Sequence, residues 1–513
     1  MRIKFYKVIK LFFSRVFLVA LTVLIEIARA LLFVIKLKEK YVYFEIASSI
    51  LGVLLFVTLI NKKMNPEHKI IWACLFIMFP IFGIVLYVLF ALNSPSKRLL
   101  NKYTNFDKSD FVKSNEYKEE VYKLSKNYKG QIKYIENMSG LNSYKNTKTT
   151  YLKDGKEFYD SLISDLKNAK KFIFMEYFII NHGTMWDSIE KILIDKVNEG
   201  VEVRLLYDDF GCAKYLKSSF SKRLRDKGIN CRKFNKMIPL VSSIHNNRSH
   251  RKITIIDGHI AYTGGINLSD EYMNITSPFG YWKDNAVRLY GESCDNLTVL
   301  FLQNFALAIG KVQEFNKYLY KNNNNEEVIS DEIIVPFGSG PSLRYYENIS
   351  NDVFLHLINQ AKVSIDISTP YLIIGYALSS ALIAAVARGV KVRILIPSKP
   401  DKKFVYEFSK LNAYELASHG VEIYTFTPGF NHAKSFLVDD EVAYVGTTNL
   451  DFRSLIHHYE CGVWIYNSKA IKDIDDNFES DYLKSTLVNP SDLKSNLLVR
   501  LFVSFVRIFQ SLL

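Results

Sequence analysis

No two of the five cysteines in these 513 residues, Cys74, Cys212, Cys231, Cys294 and Cys461, stand in Cys-x-x-Cys spacing, and their number is odd. That argues against both a zinc ribbon and a disulfide framework, and it places the soluble part in a reducing compartment. A Gly-x4-Gly-Lys-(Ser/Thr) loop is also missing, so phosphate chemistry here does not rest on a nucleotide held in a P-loop. Acidic residues are in deficit: 52 Asp and Glu against 66 Lys and Arg leave a formal net charge of +14 at pH 7. Such an excess implies an anionic partner, either nucleic acid or an acidic membrane surface.

Charge is absent altogether from Ile70 to Leu92, about the length that crosses a hydrocarbon core as a helix. From Tyr41 to Ile60 the one charged residue is Glu45, near an end where it can reach the interface. Between them Asn61 to Lys69 has the basic and breaker residues of a tight interfacial turn. Leu11 to Ile35 is apolar but interrupted by Arg15, Glu26 and Arg29, the last two a helical turn apart. It reads as either a third span or a helix in the surface plane. No small-residue cleavage site clearly follows it, against a signal peptide. Lys and Arg flank every candidate span, so the positive-inside rule gives no orientation. With two spans crossing, the chain start and the soluble part share one side, expected to be the cytoplasm of a multi-pass cell-membrane protein. At the other end, Leu497 to Leu513 carries Arg500, Ser504, Arg507 and Ser511 at helical spacing on an apolar background, the pattern of an interfacial helix.

What the chain does contain, it contains twice. His250, Lys252, Asp257, Gly264 and Asn267 are answered by His432, Lys434, Asp439, Gly446 and Asn449 at identical intervals, with Gly265 in the first copy matched by Thr447 in the second. Agreement at five positions, four of them polar, and at four spacings points to a duplicated half-site. Two imidazoles suit nucleophilic attack at phosphorus and proton delivery to a departing alkoxide. Two lysines and two asparagines can donate to phosphate oxygens as charge builds on them. The scheme needs no metal and no cofactor.

These motifs resemble those of the phospholipase D superfamily. The flanking runs Asn267 to Tyr272, Tyr281 to Asp284, Asn449 to Ser454 leading to Glu460, Ser339 to Ser342 and Thr369 to Tyr371 are similar to bacterial cardiolipin synthases of the phospholipase D type, and the resemblance covers almost the whole chain. It implies an α/β fold with two duplicated phospholipase D-like α/β/α halves sharing one active site, preceded by N-terminal transmembrane helices. It further implies transfer of a phosphatidyl group between two phosphatidylglycerol molecules, with His250 as nucleophile and His432 as acid and then base. Lys252 and Lys434 would bind phosphate, as would Asn267 and Asn449. Glu460 and its counterpart Asp284 would orient the imidazoles. Asp257 and Asp439 have two open readings: orienting a catalytic group, or filling the turn that each begins.

The organisation follows the duplication. Residues 1–92 read as the anchor, with segments 11–35, 41–60 and 70–92, and residues 93–150 as a polar linker and domain entry. Helix, strand, helix and strand then recur over 151–316 and 332–490, with matching points roughly 180 to 195 residues apart, far too long for a solenoid repeat. Residues 317–331, with four consecutive asparagines, read as the connection, and 491–513 as the C-terminal surface helix. Each motif histidine is expected to begin a strand, with the lysine two positions on sharing its face. The basic surface and the anchor agree with an anionic lipid substrate. Three other readings stay open: hydrolysis to phosphatidic acid, phosphodiester cleavage of nucleic acid, which the hydrophobic segments disfavour, and a non-catalytic membrane adaptor.

Overall fold

The structure, a computed structural model, describes residues 21–22, 24, 27, 39–62, 66–88, 118–125, 127–236, 247–311, 313–323, 328–340 and 348–494. The chain divides into two compact units. The larger one includes all the described residues from 118 onward.

In its first half lie β1 (Thr147–Leu152), β2 (Phe172–Tyr177), β3 (Glu202–Asp208), β4 (Asn230–Phe234), β5 (Ile253–Ile256), β6 (Ile260–Gly264), β7 (Tyr281–Lys283) and β8 (Ala286–Gly291). The second half contributes β9 (Ile333–Ser339), β10 (Ser364–Ser368), β11 (Lys391–Pro397), β12 (Glu422–Phe426), β13 (Gly429–Asn431), β14 (Ser435–Val438), β15 (Val442–Gly446), β16 (Glu460–Tyr466) and β17 (Ser485–Leu487). One sheet runs β1-β8-β6-β5-β2-β3-β4 and the other β17-β12-β11-β10-β14-β15-β16-β9. Apart from the added β17 the two orders are the same, read in opposite directions. β2, β3 and β4 are mutually parallel, as are β10, β11 and β12, while the strands on the other side of β2 and β10 are antiparallel. The duplication seen in the motifs therefore extends to the whole α/β fold.

Central strands such as β2, Phe-Ile-Phe-Met-Glu-Tyr, are buried at every residue, as a sheet covered on both faces requires. The crossovers are helices. Gly155–Asn168 begins at Asp154, whose carboxylate accepts the N–H groups of Lys156 and Glu157, and Thr184–Asn198 follows β2. Ile349–Gln360 and Tyr376–Ala387 take these places in the second half. Gly200 and Gly389, both at φ +90°, turn the chain from helix into β3 and β11, a conformation that a side chain resists. Between the sheets one apolar cluster draws on both halves, with Phe174, Ile253, Val287 and Phe301 packed in the same cluster as Leu437, Val445, Val463 and Ile465. At roughly 1.5–3 kcal/mol per large side chain buried, this shared core fixes the halves against each other.

Three sequence expectations change. Part of the expected linker 93–150 is folded: helix Lys129–Ser139 buries Ile132 and Ile135 in the core of the second half, and Gln131 bonds both Val353 and Trp464. Its apolar residues recur at helical spacing within a polar composition that reads as loop. The expected connection 317–331 likewise begins with a tight turn, Asn316–Tyr318, whose Tyr318 receives a bond from Arg204. Finally, the motif histidines lie ahead of their strands: β5 starts at Ile253 and β14 at Ser435, because the preceding residues bond to the opposite half instead of to the sheet.

The smaller unit contains helices Glu39–Ile60, Pro66–Met78 and Pro80–Leu86. The expected continuous span from Ile70 to Leu92 is interrupted at Phe79 (φ −137°), since Pro80 has no N–H to continue the ladder and begins a new helix instead. Gly52 lets its helix approach the carbonyl of Phe76, and Leu59, Phe76 and Tyr87 form a small core with Trp72. Among the described residues no helix is long and apolar enough to cross a membrane. Most of the expected segment 11–35 and the Leu497 to Leu513 helix lie outside the described residues.

Candidate active site

Each motif histidine is attached to the half it does not belong to. The His250 N–H donates to the carbonyl of Tyr459 at 2.9 Å, and Tyr459 returns an N–H to Arg248 at 2.8 Å. His432 follows β13, which pairs in parallel with β7 of the first half, and its N–H donates to the Lys283 carbonyl at 2.7 Å. Tyr459 and Lys283 immediately precede the two carboxylates, Glu460 and Asp284. The exchange therefore delivers each carboxylate to the opposite imidazole: His250 Nδ1 lies 3.0 Å from Glu460, and His432 Nδ1 lies 2.6 Å from Asp284. With Nδ1 engaged, Nε2 of each ring is left for chemistry.

Both rings are all but buried, His250 7 % and His432 8 % exposed, and the charges around them are few and close. Burial pushes His250 down to about 3 despite Glu460 beside it, so the ring is neutral at physiological pH. Burial also drives His432 well below the usual histidine range, helped by Lys434, Lys252 and Lys402. The two carboxylates part company. Burial raises both, but His250 and His458 overcome it at Glu460 and hold that group well below the ordinary carboxylate range. At Asp284 burial prevails over Lys434, Lys252 and Lys283, and the group is pushed up to about 7. Lys252 is lowered to about 8 and Lys434 to about 7, again by burial, and each feels both carboxylates. The two half-sites thus form one electrostatic unit.

The other expected residues divide. Lys252 donates to the His250 carbonyl at 2.5 Å, and Lys434 donates to that of His432, so each ammonium is folded back beside its own histidine. Asn267 donates to Tyr272 at 2.6 Å and accepts from Ile179, while Asn449 donates to Asp451 and its Oδ1 has no hydrogen-bond partner among the described residues. Asp257 and Asp439 correct the catalytic reading. Asp257, at φ +52°, accepts the N–H groups of Lys170, Lys171 and Phe172, and Asp439, at φ +53°, accepts those of Lys362, Val363 and Ser364. Each aspartate ties its hairpin to the start of the neighbouring strand, a scaffolding task that consumes the carboxylate. Tyr371 donates to Asp401 at 2.6 Å, and Arg453 lies in the Arg453–His457 turn.

Several neighbours were not legible as site residues. Thr447 donates its hydroxyl to Glu460, whereas a Cβ at Gly265 would fall 2.0 Å from Asp284 Oδ1. The one position at which the paired motifs differ next to their shared glycine is therefore where each half accommodates its own carboxylate. Phe178 packs edge-on to His250 at 4.9 Å, and Tyr272, Trp282 and Phe430 surround His432 at 5.4–5.8 Å. One phenylalanine ring thus packs on His250 and three aromatic rings on His432. His458 Nδ1 lies 3.6 Å from Glu460. Donor atoms of His250, His458 and Glu460 fall within 4.8 Å of one another, a set of the type zinc accepts, although the His250–Glu460 contact already occupies part of it. A cavity of about 820 Å³ is lined by Lys283, Tyr151, Asn477 and Asp481 but by neither imidazole. The paired clasps, not cavity size, locate the chemistry.

The family model described as cardiolipin synthase, PLD-like domain, matches residues 162–285 and 354–482, one segment in each half. A cardiolipin synthase of Alkalihalophilus pseudofirmus is 31 % identical over 459 residues, 88 % of this chain and 90 % of its own length. An uncharacterized protein of Streptococcus mutans is 38 % identical over 446 residues, 85 % and 94 %. Among solved structures, a phosphatidylserine synthase of Haemophilus influenzae aligns with a TM-score of 0.57 at 16 % identity, covering 74 % of this chain and 99 % of that one, a likeness of fold.

Proposed function

The chain belongs to the cardiolipin synthase family of phospholipase D-like enzymes, and from that premise we propose that it moves a phosphatidyl group from one phosphatidylglycerol to another, forming cardiolipin and glycerol through a phosphohistidine on His250. It is a phosphatidyltransferase. The observation that carries the reading is the reciprocal clasp, in which two imidazoles are each held by a carboxylate of the other half beside two buried lysines.

The unequal charge of the clasps supports the order of roles. Glu460, held ionised, accepts Nδ1–H of His250 and leaves a lone pair on Nε2 for attack at phosphorus. Asp284, raised to about 7 by burial, lies where a proton can be held between its carboxylate and His432 Nδ1. When the phosphate anion enters, its charge draws that proton onto the imidazole, since a nearby opposite charge favours the cationic ring. The first step forms the bond from phosphorus to His250 Nε2 and breaks the bond to the glycerol oxygen, which takes a proton from His432. In the second step His432 removes a proton from a hydroxyl of the second phosphatidylglycerol, whose oxygen attacks phosphorus and releases His250. Lys252 and Lys434 are placed to meet the phosphate oxygens, with the free N–H of Asn267 and of Asn449 as further donors. The exchange is between phosphodiesters and calls for no nucleotide.

The same proposal makes the smaller unit a membrane anchor in the cell membrane, with the catalytic unit on the cytoplasmic side. Supporting it, helix Glu39–Ile60 exposes Ile46, Ile50, Leu51, Val53, Leu54, Val57 and Ile60, each 46–59 % accessible. Apolar surface of that extent on a single helix calls for an apolar environment. The test is product analysis: purified enzyme in vesicles of headgroup-labelled phosphatidylglycerol should release labelled glycerol in step with cardiolipin. Phosphatidic acid without cardiolipin would instead assign it to the hydrolases.

A further inference from the structure

Most large apolar side chains of the catalytic unit are buried, and those that are not include a group set around the site. Phe210 is 50 % exposed, Ile275 48 %, Tyr376 83 % and Phe404 42 %. Phe210 follows β3, Tyr376 follows β10 and Phe404 follows β11, so three of the four leave the carboxyl ends of parallel strands, the end at which open α/β sheets carry their ligands. His250 and His432 lie at that same end, because β5 and β14 run antiparallel to β2 and β10 with Ile253 opposite Glu176 and Ser435 opposite Ser368.

Contacts tie each tip to a site residue. Phe210 lies under the guanidinium of Arg248, two residues from His250, and the adjoining Gly211 lies against Phe178, which packs on His250. The segment before Tyr376 is bonded through the Ile373 N–H to the carbonyl of Leu450, next to Asn449. Phe404 is two residues from Lys402, whose ammonium sits 5.2 Å from the ring of Tyr371 and near enough to His432 to act on its charge. Ile275 follows the Asp270–Met273 turn, where Tyr272 packs on His432. The same loops expose Lys214, Lys217, Lys399, Lys402 and Lys403.

We propose that this rim of apolar tips and lysines around the two-histidine cleft is a docking surface for an anionic phospholipid bilayer, from which the cleft draws its lipid substrate. The proposal rests on the lipid-transfer reading and adds a recognition step by the catalytic unit itself. The lysines complement anionic headgroups, and the aromatic and aliphatic tips suit the boundary between headgroups and chains. A nucleic-acid surface would share the lysines but leave Ile275 and Phe404 without a counterpart.

The test uses full-length enzyme with Cys74→Ser as background and a fluorophore on Phe210→Cys, Tyr376→Cys, Phe404→Cys or, as control, Val363→Cys, which is exposed at the amino end of β10. In phosphatidylglycerol vesicles containing chain-labelled quencher lipid, the three rim probes should be quenched and the control should not. In parallel, Phe210→Ser/Tyr376→Ser/Phe404→Ser should raise KM for vesicle phosphatidylglycerol by about 10-fold while leaving turnover of dispersed short-chain phosphatidylglycerol within about 2-fold. Unquenched rim probes on enzyme that still makes cardiolipin would overturn the docking surface and leave the transferase reading intact. Equal loss on both substrate forms, or protection of the probes by DNA instead of lipid, would overturn it too. If the unmodified enzyme makes no cardiolipin, the underlying reading fails whatever the probes report.

Discussion

His250 leans on Glu460, which the imidazole of His458 and the hydroxyl of Thr447 also approach, whereas His432 leans on Asp284, which receives the N–H of Asn285 and lies against the bare Cα of Gly265. The backbone plan is the same in both, down to the N–H that each histidine gives to the residue before its carboxylate. What differs is the kind of group set against burial: imidazoles beside Glu460, lysines and one backbone N–H beside Asp284. The two imidazoles outweigh burial at Glu460 and hold it below the ordinary carboxylate range, while at Asp284 burial outweighs Lys434, Lys252, Lys283 and the Asn285 N–H and raises the group to about 7. One difference within the paired motifs, Thr447 against Gly265, together with the neighbours of each carboxylate, thus gives the two half-sites different surroundings on the same backbone plan.

The sharpest way to break this comparison is to remove each ring in turn and vary the leaving group. His250→Ala should lose about ten-thousand-fold in turnover with phosphatidylglycerol and with phosphatidyl-p-nitrophenol alike, because the nucleophile serves both. His432→Ala should lose about a thousand-fold with phosphatidylglycerol but recover most of the formation of the covalent intermediate from phosphatidyl-p-nitrophenol, whose leaving group needs no proton. The opposite pattern would exchange the roles. One step smaller, Glu460→Gln and Asp284→Asn should each cost about a hundred- to a thousand-fold, and the activated substrate should rescue the Asp284 variant alone.

The pH profile sharpens the comparison further. Lys434, lowered to about 7, Lys252, lowered to about 8, and the proton of Asp284 at about 7 are all lost as pH rises, whereas His250 stays neutral and Glu460 ionised well into the acid range. The kcat/KM of the free enzyme should therefore fall on the alkaline side, beginning near pH 7. Lys434→Arg, permanently charged, should move that fall upward while lowering the plateau by about 10-fold through its altered geometry. An unchanged alkaline limb in this variant would show that Lys434 does not titrate there.

The smallest expected effect concerns the turn aspartates. Asp257→Ala removes a buried carboxylate that serves three backbone N–H groups and leaves alanine at positive φ, so it should cost about 2–4 kcal/mol in stability. Asp439→Ala, at a more exposed turn, should cost less, and in both the turnover of the folded fraction should stay within about 3-fold. Thermal unfolding followed beside activity separates the two quantities. A specific collapse of turnover in correctly folded protein would return these aspartates to catalysis.

The duplication, the two histidines, the lysines and the α/β alternation were all legible in the residue order, because spacing and apolar periodicity are local properties. Glu460 and Asp284 were legible as orienting carboxylates by resemblance, but nothing in the spacing says that each serves the other half's histidine. The helix Lys129–Ser139 was read as linker, since its few apolar residues acquire meaning from the second-half core they enter. Asp257 and Asp439 share the fixed spacing of the catalytic residues, so their spacing alone could not separate scaffold from site. The apolar segment from Ile70 was read as unbroken because composition outweighed Pro80, whose missing N–H interrupts the helix.

Sequence alone determined that this protein has two equivalent halves, each with one imidazole and one lysine suited to phosphoryl chemistry, because the side chains and their intervals are written along the chain. Tertiary structure alone decided which carboxylate faces which imidazole and how much charge each holds. Those properties depend on contacts between residues 148 and 210 positions apart and on the exclusion of water from a core the halves build together.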